Sequence, residues 1–216
     1  MSRRRIIFII IFVLIALMAF LGWRSYRDSF QTIKVTARKP FTLTLYAPLS
    51  TDESNAYDKS KVFFVATDTE TFRVKKGVYV YAVSGGSDYQ EFSEQISVGA
   101  KPVNLSMPQL NYTPAKLASM LAKERPAIES VINNAYPSQM KIYSIQGGKL
   151  YGNGQWYGAR LVPNDPRTYD TLRIILKKEG PTWQIVTKPP EIVISQPVYP
   201  QIPAYILSDL NNFDGN

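Results

Sequence analysis

Residues 6–21 read IIFIIIFVLIALMAFL, sixteen apolar residues without one polar interruption. Arg3, Arg4 and Arg5 precede the run, which starts at Ile6, and Gly22, Trp23 and Arg24 close it. Thirteen of the sixteen are Ile, Leu, Phe or Val, which favours insertion into hydrocarbon by about 4–8 kcal/mol at roughly 0.3–0.6 kcal/mol each. With Gly22 and Trp23 the helix would be about 27 Å long, close to a hydrocarbon thickness of roughly 30 Å. The expectation is a single-pass anchor over residues 6–23, buried in a lipid bilayer, with Trp23 at the interface. Three arginines before the run, against Arg24, Arg27 and Asp28 after it, place the N-terminus in the cytoplasm of a cell membrane and residues 28–216 outside. The run exceeds an ordinary signal-peptide core, and Ala16 and Ala19 do not make a small-x-small cleavage site, so the segment reads as a retained signal-anchor.

The same segment explains the charge. The chain carries 25 basic and 17 acidic residues, a net of +8. Five of the basic ones, Arg3, Arg4, Arg5, Arg24 and Arg27, flank the run and leave 20 against 17, interspersed. No basic stripe remains to read nucleic acid. The chain has no Cys and no His. That excludes disulfides, thiolate metal sites and every Ser-His-Asp or Cys-His scheme. No cofactor or metal site is expected, and no enzymatic activity.

Four segments follow from the patterning: a tip and anchor over 1–30, an antiparallel β-sandwich over 31–107, a linker over 108–112, and an α+β domain over 113–216 with a Pro-rich tail. In the first folded part, Ile33, Val35 and Ala37 alternate with polar residues, as do Phe41, Leu43 and Leu45. Further strands are expected at 61–66, 71–74, 78–83, 92–98 and 103–107, with turns at Arg38-Lys39-Pro40, Lys76-Gly77 and Ser84-Gly85-Gly86-Ser87-Asp88. The polar stretch 48–59 reads as a loop. Phe72-Arg73-Val74-Lys75-Lys76-Gly77-Val78-Tyr79-Val80-Tyr81-Ala82-Val83 resembles the strand–Gly–strand core of PEGA-like and carboxypeptidase-regulatory-like sandwiches. That resemblance implies a spacer or surface-binding module.

In the second part, Thr113 fits a helix N-cap with Pro114 at the first helical position. Leu117, Met120 and Leu121 share one face, and Ile128, Val131, Ile132 and Ala135 repeat at helical spacing. Pro126 stands between them and pushes Arg125 away from helical geometry, so a kinked helix or two short helices are expected before Pro137. Strands are expected at 140–145, 154–162, 169–177 and 182–187, with an edge strand at 192–194 and a short last helix over 204–212. Helix first and antiparallel strands after is an α+β order. Tyr169-Asp170-Thr171-Leu172-Arg173-Ile174-Ile175-Leu176, followed by Gly180-Pro181-Thr182-Trp183-Gln184-Ile185-Val186, resembles the closing hairpin of the nuclear-transport-factor-like and cystatin-like cone folds. In such folds the Trp packs inside.

Tyr143, Tyr151, Trp156, Tyr157, Tyr169 and Trp183 concentrate aromatic rings in this part. Of these, Tyr143, Trp156, Tyr157, Tyr169 and Trp183 are the candidate ligand-binding residues, with ordinary core and sheet packing as the competing reading. Ser138-Gln139-Met140-Lys141 matches S-x-x-K, but Pro137 precedes it and no K-T-G or S-D-N companion occurs. Gly147-Gly148 and Gly152-x-Gly154 read as turns, and Asp165 and Asp170 as solvated loop carboxylates. The expected function is a non-enzymatic envelope protein whose outer domains bind other envelope proteins as a subunit of a surface or secretion assembly. A membrane helix followed by a cone-like domain is similar to the bitopic subunits of conjugation channels. The alternative is a module that binds cell-wall glycan or a small ligand through the aromatic rings.

Overall fold

The structure, a computed structural model, describes residues 3–49 and 56–212, with side chains from residue 11 onward. The chain divides into two compact units, Met1–Leu110 and Asn111–Asn216.

The first unit opens with helix α1 (Arg3–Asp28) and continues as seven strands: β1 (Phe30–Thr36), β2 (Thr42–Pro48), β3 (Tyr57–Ala66), β4 (Glu70–Lys75), β5 (Gly77–Ser84), β6 (Phe92–Val98) and β7 (Val103–Ser106). They form a three-stranded sheet in the order β4-β1-β7 and a four-stranded sheet in the order β3-β2-β5-β6. Alternation decides the inner faces, because successive side chains of a strand point to opposite sides. Ile33 and Val35 of the first sheet meet Leu43, Leu45, Phe64 and Val83 of the second in one buried core. Phe64 stacks on Phe72 across that core, ring centroids 3.7 Å apart.

Three expectations for this unit are corrected. The first is the anchor. Among the described residues no helix is long and apolar enough to cross a membrane, so the transmembrane, single-pass, signal-anchor and cell-membrane readings are withdrawn. α1 takes in the apolar run from Ile6 to Leu21. The helix then continues through Arg24, Arg27 and Asp28 and passes into β1. The second is the purely antiparallel sandwich. β1 and β7 pair in parallel, Ile33 with Val103 through Thr36 with Ser106. After β6 the chain leaves its own sheet through Gly99–Pro102 and arrives beside β1 running the same way. The third is the loop over 48–59, of which 50–55 lie outside the described residues. β3 begins at Tyr57, and its pairing with β2 is irregular: Tyr46 faces Val62 while Ala47 faces Asp58. The intervening Lys59, Ser60 and Lys61 bulge outward.

The second unit contains α2 (Pro114–Ala135), β8 (Tyr143–Tyr151), β9 (Trp156–Pro163), β10 (Leu172–Glu179), β11 (Thr182–Ile185) and α3 (Ala204–Asn211). The Thr113 hydroxyl accepts the Lys116 amide at 3.3 Å and caps α2. The helix runs through Pro126 without a break. An interior proline costs about 3 kcal/mol. Pro126 has no N–H to donate to the Ala122 carbonyl, and both residues are exposed. Leu121 on one side of the proline and Ile128 and Ile132 on the other are buried, each contributing about 1.5–3 kcal/mol. Packing of both halves on one sheet overrides the local preference.

The sheet is antiparallel in the order β11-β10-β9-β8 and is covered on both faces. On one face Ala159, Leu161, Ile174 and Leu176 pack with Leu121, Ile128 and Ile132 of α2. On the other, Trp156 and Ile175 pack with Ile194, Ile202, Ile206 and Leu210 of the tail and α3. The expected edge strand at 192–194 is not formed. Residues here instead make a single bridge, Glu191 with Arg173, and Ile194 turns into the core. Gly147 and Gly148 lie inside β8 at a bulge rather than between strands, while Gly152–Gly154 makes the turn into β9.

Candidate interaction surface

The five aromatic candidates are not brought together. Tyr143, Tyr157 and Trp183 belong to the core beneath α2, whereas Trp156 belongs to the core beneath α3. Tyr169 is exposed, its ring 6.2 Å from that of Tyr143. Trp156 and Tyr157 are neighbours on β9 and therefore point to opposite sides of the sheet. Tyr157 and Trp183 meet edge to face at 6.4 Å, and burial pushes the Tyr157 phenol up to about 12. A ligand stacking on these rings would have to displace a helix.

Polar groups pin both layers to the sheet. On the α2 side, Glu124 receives Lys178 Nζ at 2.5 Å on Oε1 and Trp183 Nε1 at 2.8 Å on Oε2. Those two hydrogen bonds hold its carboxyl below the ordinary range. On the α3 side, Asp209 Oδ2 accepts the Tyr151 hydroxyl at 2.5 Å and Lys149 Nζ at 2.6 Å. Burial works against the charged form of Asp209, but the bonds from Lys149 and Tyr151 outweigh it and lower its pKa from the ordinary 3.8. Because the folded value is the lower one, the contact adds stability above the unfolded pKa and loses it as pH falls through the folded pKa. Asp209→Asn is therefore expected to lower the melting temperature at pH 7. The gap to the parent should narrow at pH 3, as thermal melts at the two values would show.

Arg173, Glu124 and Asp209 were not singled out by sequence reasoning. Arg173 had a signal: one cation inside Leu172-Arg173-Ile174-Ile175-Leu176, a strand apolar on both sides. Of the other motifs, Ser138 precedes a 3-10 turn (Gln139–Lys141) and Lys141 is its last residue. Asp165 closes a loop by accepting the Thr168 hydroxyl at 2.8 Å. Among the described residues no group of three or more His, Cys, Asp and Glu side chains is placed to hold a metal ion.

What the surface does offer lies on the first unit. β3 is an edge strand, and among the described residues nothing pairs with it on the side away from β2. Val62, Phe63 and Val65 on it are 47%, 53% and 50% exposed, while Phe64 and Ala66 point inward. Phe63 is braced edge-on by Tyr79 at 4.8 Å, and Tyr46 stacks on Tyr57 at 4.4 Å at the other end of the strand. The bulged Lys59 and Lys61 sit near Glu91 and Asp58 at 3.9 and 3.4 Å. Unpaired edge groups beside exposed apolar side chains form a template for a further strand.

Set against known proteins, the chain matches no protein-family model, no curated protein and no solved structure.

Proposed function

We propose that this chain is a non-enzymatic binding protein that works as a subunit of a larger assembly, and that β3 takes an extended segment of a partner protein. The observation that carries this reading is the apolar free edge at residues 62–66. Main-chain hydrogen bonds along the edge supply affinity in such strand addition, and alternate side chains supply selectivity. The fitting partner is an extended segment with alternate apolar residues that cover Val62 and Val65. The aromatic rings of the second unit support packing rather than ligand stacking, since four of the five lie in its cores.

A photo-crosslinking residue at position 65 of the full chain, in its native cells, tests the reading. It should join the chain to a protein segment with that pattern, and amides of residues 63–66 should gain hydrogen-exchange protection in the purified complex. V62K/V65K should cut the yield of that complex at least tenfold. Its stability should change by no more than about 0.5 kcal/mol, as for exposed substitutions elsewhere. Crosslinks only to a second copy of this chain, or complex formation untouched by V62K/V65K, would overturn it.

A further inference from the structure

Two clefts flank the last turns of α1 in the first unit. One, of about 650 Å³, is lined by Leu21, Arg24, Ser25, Asp28, Ser29, Lys75 and Lys76, and Arg24 already faces Asp28 at 3.9 Å. The other, of about 360 Å³, is lined by Trp23, Tyr26, Arg27, Phe30 and Arg73. It contains three aromatic rings, two guanidinium groups and no carboxylate.

The second cleft has a defined build. Phe30 faces Lys75 in the β1–β4 register and Thr32 faces Arg73, so Phe30 and Arg73 share the outer face of the three-stranded sheet. The helix brings Trp23, Tyr26 and Arg27 over that face. Tyr26 meets Phe30 edge-on at 5.1 Å. Arg27 Cζ stands 5.3 Å from the centre of the Trp23 ring, and Arg73 Cζ 6.0 Å from that of Phe30. Among the described residues neither guanidinium pairs with a carboxylate. A stacked guanidinium keeps its N–H edge for a planar, two-oxygen acceptor, and arginine makes such paired bonds to phosphate or carboxylate. An apolar, ring-lined cleft with a few converging polar groups is the usual form of a small-molecule site.

We propose that this cleft binds an aromatic anion: a planar ring system lying among Trp23, Tyr26 and Phe30, with a phosphate or carboxylate held by Arg27 and Arg73. The site is independent of the β3 edge and stands or falls without it. The rings take the body of the ligand, and the two cations take its charge. Neither part alone meets both halves of the cleft.

Calorimetric titration of the full chain with 1-naphthyl phosphate tests the site, with inorganic phosphate, 1-naphthol and hexyl phosphate as comparators. Naphthyl phosphate should bind one to one and at least tenfold more tightly than each comparator. Arg27→Gln and Arg73→Gln should each weaken it about tenfold, and Arg24→Gln, in the other cleft, should leave it unchanged. Arg27→Lys and Arg73→Lys keep the charge but lose the planar fork, so they should weaken it as well, with unchanged melting temperature. Hexyl phosphate binding as tightly as naphthyl phosphate, or an affinity indifferent to both arginines, would overturn the proposal.

Discussion

Arg173→Met is expected to cost the second unit about 3–5 kcal/mol, the range for stripping one partner from a buried charged contact. The Arg173 side chain leaves β10 and is 3% exposed. Its Nε donates to the Leu210 carbonyl at 2.8 Å and Nη2 to that of Asn211 at 3.3 Å, and Nη1 donates to that of Ile192. Two of the three acceptors stand at the end of α3, where the last carbonyls lack partners within the helix and the helix dipole favours a cation. One guanidinium thus closes the helix and ties the tail to the sheet. Methionine fills the volume but donates nothing, and each carbonyl left buried and unpaired costs about 1–3 kcal/mol. Urea unfolding followed by tryptophan fluorescence measures the loss, since Trp156 and Trp183 both lie in this unit. Arg173→Lys, a point charge without the fork, should fall between parent and Met. A loss below about 1 kcal/mol would mean that the freed carbonyls find water and that apolar packing alone holds α3.

Trp183→Ala carries the second large effect, about 3–5 kcal/mol for emptying a buried indole site. Trp183 is 4% exposed, packed edge-on to Tyr157 and bonded to Glu124. Trp183→Phe separates the contributions. It keeps most of the packing and removes only the indole N–H on a carboxylate, about 1.5–3 kcal/mol. The same unfolding measurement reads both variants. A Trp183→Ala protein as stable as the parent would show that the ring is not part of the core and would return it to the ligand-binding candidates.

Much of the local structure was legible in the residues. Thr113-Pro114 marks the start of α2, and the helical spacing of Leu121, Ile128 and Ile132 marks its buried side, because both signals act within a few residues. What was not legible depends on partners far along the chain. Nothing near Ile33 announces that Val103 will lie beside it in parallel. Trp156 and Tyr157 read as one aromatic cluster because the second layer, which draws Trp156 to the other side, comes from residues 194–210. Pro126 read as an interruption because its local cost is visible and the packing that offsets it is not. The apolar run showed how strongly residues 6–21 avoid water, yet that preference alone did not establish a membrane-spanning helix. The β3 edge escaped notice because which strand stands outermost is a property of sheet order rather than of any segment, and the α1 cleft because the β1–β4 register, not the sequence nearby, puts Arg73 on the face that carries Phe30.

The tie between Arg173 and Leu210 also sets an order of events during synthesis. The guanidinium and its carbonyl acceptor are 37 residues apart, and at about 5–20 residues per second the acceptor emerges roughly 2–7 s after the donor. Through that interval β10 carries a cation facing a layer that does not yet exist, and Trp156 and Ile175 lie open to water. Residues 194–210 seal that side of the sheet, so a ribosome stalled near residue 200 would hold a half-clad sheet, a natural client for a chaperone.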